Sequence, residues 1–305
     1  MSAAEYAEPP VSLICNLAFP EAVQTDQYTI RIPFRMAGYL PVVSAKIDST
    51  EGTFIFDTGA ERLLLNKRYF QPDGSLPGHV QKGVTGGDAA ILTKKVDTLI
   101  WENLYLPGLR ANVLDLSHIE TKRNLRLVGI IGFDVFKDYE VMVDYFSQLL
   151  TLTKLDENGN RLDKKAFQDQ PFDSLDFQLG RHGIVVKGIV AGETLNLNID
   201  TGAEINLLDR KVPKKVLKHF KVLKRVTLLG AGQQEVEVLA GTLINLKCGQ
   251  QPTGIMKTLL TNTDDISDIF GMHIDGVLGY EFLRPRRTLI NYTRRKLYFF
   301  KPVNP

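Results

Sequence analysis

Apolar and polar residues alternate along much of this chain, and the uninterrupted apolar runs are short. "YTIRIPF" (Tyr28 to Phe34) carries apolar side chains at every second position, the spacing of a half-buried strand. "GTFIF" and "LNLNI" are briefer, and both lead directly into the pentapeptide DTGAE. Helical spacing is scarce. It predicts short helices at "FDVFKDY" and "EFLRP". It predicts a longer one within Lys211 to Arg225, where Val216, Leu217, Phe220 and Leu223 share one side and the lysines form a solvated face. The pattern is that of an all-β protein with a few short helices.

The pattern also repeats. Asp57 and Asp200, the aspartates of the two DTGAE copies, lie 143 positions apart, close to half of a 305-residue chain. "VGIIGFDVF" (Val128 to Phe136) has its counterpart in "DGVLGYEFL" (Asp275 to Leu283). At the offset of that second pair, rather than that of the aspartates, "VDYFSQLLTL" (from Val143) matches "INYTRRKLYF" (from Ile290). Glycine-rich turns, "VTGGDA" (Val84 to Ala89) and "LGAGQQ" (Leu229 to Gln234), fall between these markers in each half. The order aspartate, glycine turn, apolar-apolar-Gly and closing hairpin therefore occurs twice. The polar stretch Lys154 to Ser174, with its Asn158-Gly159 turn signal, is the natural joint. It divides the chain into lobes at 25–155 and 175–303, with a linker at 156–174.

A strand ending in Asp-Thr-Gly has a chemical rationale. The apolar strand anchors the backbone, and glycine permits a tight turn that another chain can approach closely. The threonine hydroxyls, Thr58 and Thr201, can tie two such turns together by bonding backbone of the opposite lobe. If the halves pair about a pseudo-two-fold axis, Asp57 and Asp200 meet at the floor of a cleft. Two carboxylates in contact cannot both ionise readily, so the pair holds one proton and supplies a base and an acid together.

With these features the chain resembles the retropepsin-like aspartic peptidases, in particular bacterial proteins of the aspartyl protease family. That family is itself the usual illustration of a proton shared between two aspartates. The resemblance rests on Asp57-Thr58-Gly59-Ala60 with Ile130-Ile131-Gly132, and on Asp200-Thr201-Gly202-Ala203 with Val277-Leu278-Gly279. It covers nearly everything from Tyr28 to Phe300. It implies two acid-protease β-barrel lobes related by a pseudo-two-fold axis, and a catalytic pair Asp57 and Asp200 supported by Thr58, Gly59, Thr201 and Gly202. It also implies substrate contacts from flaps at Gly86, Gly87, Gly230 and Gly232, and from Glu61 and Glu204. Retroviral members commonly have arginine after the triplet, paired with an acid just past DTGA. Here the triplets are followed by Phe133 and Tyr280. Ala60 and Ala203 stand where pepsins carry a hydroxyl residue that donates to the carboxylate, so the pair is expected to titrate higher than in pepsins.

The implied activity is peptide-bond hydrolysis by a monomer, with a peptide or protein as substrate and neither cofactor nor metal. The alternative is a catalytically silent module that captures extended peptides by strand addition. Composition narrows the other classes. A net charge of +2 gives no electrostatic reason for nucleic acid as a partner. No apolar run reaches transmembrane length. The five histidines lack metal spacing, and the calcium-loop look-alike from Asp156 has Arg161 where a glycine belongs. Two cysteines, Cys15 and Cys248, allow a disulfide without requiring one. "SLIC" (Ser12 to Cys15) lacks the small residue a lipoprotein box needs before its cysteine. As it stands the sequence suits the cytoplasm, and a periplasmic or envelope location follows if an export signal was removed.

Overall fold

The computed structural model describes residues 17–81, 89–180, 183–229 and 235–302. It is mostly β, with 52% strand against 10% helix, and no described helix is long and apolar enough to cross a membrane. Three sheets carry the architecture.

The first half forms an eight-stranded sheet. From one edge it runs Arg35–Ala37, Leu40–Ile47, Thr50–Phe56 and Leu127–Ile131. It continues through Leu64–Asn66, Leu104–Leu114, Ala89–Trp101 and Gly74–Gln81. The second half forms another with the same order of equivalent strands. That sheet runs Gln178–Gly180, Gly183–Val190, Glu193–Ile199 and Gly276–Leu278, then Asn206–Asp209, Met256–Thr261, Glu235–Leu243 and Phe220–Leu229. In each sheet the strand entering DTGAE is central, so its last residues are buried on both faces. They are apolar throughout in the first half, whereas in the second Asn198, bonded to the Ile184 carbonyl, lies on one face. Phe54, Ile55 and Phe56 are buried, as are Leu197 and Ile199.

The third sheet has seven strands and draws on both halves. Its order is Val23–Asp26, Thr29–Pro33, Leu149–Lys154, Tyr139–Asp144, Arg287–Asn291, Lys296–Phe300 and Asp173–Asp176. The join lies between Tyr139–Asp144 and Arg287–Asn291, which pair antiparallel with Val141 opposite Ile290. Alternation sends Val141, Val143 and Ile290 inward. There one apolar core, running through both halves, contains Phe56 of the first and Ile199 of the second. Met142, Leu289 and Phe300 face outward, under Phe167.

Two expectations need adjustment. Lys154 ends one strand and Ser174 lies within another, so the irregular joint is confined to 155–172. The long helix within Lys211 to Arg225 does not form. Only Lys214–Leu217 is helical, and Phe220–Leu229 is an edge strand paired with Glu235–Leu243. Val216 and Phe220 are buried as anticipated, but Leu223 is 64% exposed. The partner strand pairs with it from Phe220 to Leu229, with a bulge at Leu223, and the β-branched residues Val222, Val226 and Thr227 suit a strand. Those lysines then do what charged residues do on a sheet edge, which is to discourage further strand pairing.

Candidate active site

Asp57 and Asp200 each follow the last residue of a central strand. Strand Leu127–Ile131 runs parallel to Thr50–Phe56, and Gly276–Leu278 runs parallel to Glu193–Ile199. Parallel pairing brings like ends together, so the triplet carbonyls clasp the aspartate amides. Asp57 N–H donates to the Ile131 carbonyl and Asp200 N–H to the Leu278 carbonyl, both at 3.0 Å. The triplet glycines allow that approach. A Cβ on Gly132 would stand 2.4 Å from the Arg62 carbonyl oxygen, and one on Gly279 2.1 Å from that of Ala203.

The two DTG turns meet and interlock. The Thr58 amide donates to Thr201 Oγ1 at 2.9 Å, and the Thr201 amide donates to Thr58 Oγ1 at 3.0 Å. In return Thr201 Oγ1 donates to the Phe56 carbonyl at 2.9 Å, and Thr58 Oγ1 to that of Ile199 at 3.4 Å. Both threonines are fully buried. Gly59 and Gly202 sit against the opposite aspartates: a Cβ on Gly59 would come within 2.6 Å of Asp200 Cγ, and one on Gly202 within 2.5 Å of Asp57 Cγ.

The carboxyl groups of Asp57 and Asp200 lie close enough for each to shift the other's titration. Both residues keep partial solvent contact. Burial raises the affinity of both for protons, and for Asp200 the neighbouring Asp57 charge raises it further, well above the ordinary carboxylate range. Asp57 Oδ1 accepts from Gly59 N–H at 2.7 Å and Ala60 N–H at 3.1 Å. Asp200 Oδ1 accepts from Gly202 N–H at 2.7 Å. Asp200 is raised further than Asp57 because the Asp57 charge and side chain act on it, while the Asp200 contact lowers Asp57, so the proton held by the pair lies toward Asp200. The pair titrates as a unit.

Glu204 has an ion-pair partner that its sequence neighbourhood does not reveal. Arg123, the last residue of helix Ser117–Arg123 in the first half, pairs with it across the boundary between the halves. Gly38 lies so close to the Arg123 guanidinium that a Cβ there would clash. Glu61 is half-buried, and its carbonyl accepts from the Asp134 amide at 3.0 Å. Gly86, Gly87, Gly230 and Gly232 lie outside the described residues. So does Cys15; Cys248 is buried, and burial pushes its thiol up to about 12. Among the described residues no group of His, Cys, Asp and Glu side chains is arranged to hold a metal ion.

Asp134 follows the first triplet and accepts from the Leu63 amide at 2.9 Å. Burial is the main cause that pushes it up to about 6, against opposing contributions from Leu63 N–H and Arg62. A carboxyl raised in the folded state makes stability fall as pH rises from about 4 through about 6, after which the loss is complete. Asparagine keeps an acceptor for Leu63 without the charge. Asp134→Asn should therefore match the wild type near pH 4 and exceed it above pH 6 by about 1 kcal/mol after allowance for solvent screening. Urea midpoints at the two pH values check this, and equal midpoints at pH 7.5 would refute it.

No protein-family model matches the chain, and no curated protein matches it.

Proposed function

We propose that the chain is a two-lobed, retropepsin-like aspartic endopeptidase that hydrolyses peptide bonds with Asp57 and Asp200. The observation that carries this reading is the junction itself. Two equivalent strand ends, one from each half, bring two carboxyls together through turns that lock into each other, each turn glycine abutting the opposite aspartate. The identical strand order of the two eight-stranded sheets supports the two-lobed description.

The chemistry follows from a pair holding one proton. A water held between the carboxyls gives a proton to Asp57 as its oxygen attacks the peptide carbonyl carbon. Asp200 protonates the carbonyl oxygen, giving a neutral tetrahedral diol. Asp57 then passes its proton to the amide nitrogen as the C–N bond breaks, and a diol hydroxyl returns a proton to Asp200. Each half contributes one carboxylate, so one chain is a complete catalytic unit.

Incubation with a diverse peptide library, read by product masses, tests the proposal when run beside Asp57→Asn. Products that appear only with the wild type support it and give the cleavage preference. Peptides retained intact by both proteins would instead indicate a binding module.

A further inference from the structure

Tyr145 and Tyr292 hold equivalent places in the two halves, each directly after a strand of the seven-stranded sheet, Tyr139–Asp144 and Arg287–Asn291. Strand alternation turns both toward the core with Val143 and Ile290. Each ring packs against the aromatic residue that follows the triplet of the other half. Tyr145 meets Tyr280 edge-on with centroids 5.4 Å apart, and Tyr292 meets Phe133 at 4.8 Å. Those two aromatics are fixed to the DTGA turns, since Tyr280 N–H donates to the Ala203 carbonyl and Phe133 N–H to that of Ala60. Tyr292 also touches Phe136, which contacts Phe56, the residue before Asp57. The two phenols therefore form a layer beneath the carboxyl pair.

Both side chains are buried, at 7% and 4% exposure, and neither hydroxyl has a hydrogen-bond partner among the described residues. A phenylalanine would fill the same space without leaving a buried hydroxyl unpaired. Buried polar atoms of this kind are ordinarily satisfied by an internal water making about three hydrogen bonds. The titratable groups near enough to act on Tyr145 through their charge are Asp200, Tyr280 and Asp57, and the one that acts on Tyr292 is Asp57. Burial, then these neighbours, keep both phenols protonated and able only to donate toward a carboxylate.

We propose that Tyr145 and Tyr292 are positioning residues, each donating through a buried water to the inner side of the Asp57–Asp200 pair and favouring its ionised form. This rests on Asp57 and Asp200 being the reacting pair. It concerns the carboxyls themselves, however, and can be tested without a substrate.

The experiment uses full-length Tyr145→Phe and Tyr292→Phe. Carboxyl resonances of ¹³C-aspartate-labelled protein are assigned with the Asp57→Asn and Asp200→Asn variants and followed against pH. In parallel, kcat/KM is measured against pH on a cleaved peptide. Loss of a donor to the carboxylates should raise the apparent pKa values of the pair by about half a unit and carry both limbs of the rate profile upward, with KM unchanged. Carboxyl titrations identical to wild type in both folded variants overturn the proposal, leaving the rings as space-fillers. Shifted titrations in a protein that cleaves no peptide uphold the positioning role and count against the peptidase. Should one variant fail to fold, the other still decides, because Asp57 acts on both phenols.

Discussion

Asp57→Asn and Asp200→Asn should each lower turnover by at least the ~10²–10⁴ that accompanies loss of one acid–base group. A single carboxyl cannot take the proton of the attacking water while also protonating the carbonyl oxygen, so neither aspartate can stand in for the other. The fold should survive. An asparagine oxygen at position 57 can still accept from Gly59 and Ala60, and one at position 200 from Gly202. Stability should shift in the opposite direction to activity. Both aspartates bind protons more tightly when folded, so the wild type loses stability as pH rises through the titration of the pair. A variant with one ionisable group fewer escapes part of that loss and should unfold at equal or higher urea at pH 8. Initial rates on a peptide from the library screen, beside urea curves, test both statements. A variant keeping near-wild-type turnover would show that the two carboxyls are not one site. The rate profile of the wild type should be a bell with its optimum between mildly acidic and neutral pH, because burial moves both carboxyls upward.

Thr201→Val should be among the most destabilising single changes in the molecule. It leaves the Thr58 amide and the Phe56 carbonyl buried without their partner. At about 1–3 kcal/mol for each orphaned group the loss is roughly 2–6 kcal/mol, a large part of the ~5–15 kcal/mol that holds a typical protein folded. Thr58→Val should cost less, since its hydroxyl reaches the Ile199 carbonyl only at 3.4 Å. Serine at either position keeps the hydroxyl and should be mild. The double valine variant should fall short of the sum, because once one threonine releases its partner the turns separate and the other bonds go with them. A double-mutant cycle in urea measures this coupling. Strict additivity would mean that the two turns are held independently.

Much of this site was legible in the sequence because the physics that builds it is local. A central strand needs buried apolar residues at its end, a turn under steric pressure needs glycine, and a second copy of the pattern supplies the partner. Phe54 to Gly59 and Leu197 to Gly202 spell out all three. Arg123 was not legible. It reaches Glu204 from a helix 81 positions away, and no period connects them. Tyr145 and Tyr292 stood in plain view in the matched "VDYF" and "INYT", but their meaning depends on which face of a shared sheet they occupy. The helix expected after Lys211 fails for a related reason. Apolar spacing over so short a span fits either element, and the hairpin partner that decides between them lies beyond it, at Glu235–Leu243.

The seven-stranded sheet also sets a timetable for synthesis. Tyr139–Asp144 has Leu149–Lys154 as an early neighbour, but its other edge is completed only by Arg287–Asn291. A ribosome adding about 5–20 residues per second needs roughly seven to thirty seconds to make the intervening chain. Throughout that interval the nascent first half presents an open, apolar strand whose natural mate does not yet exist. Neighbouring polysomes would offer the same strand to one another. Efficient production of this protein therefore depends on something covering that edge until the chain is complete, whether a chaperone or its own early segments.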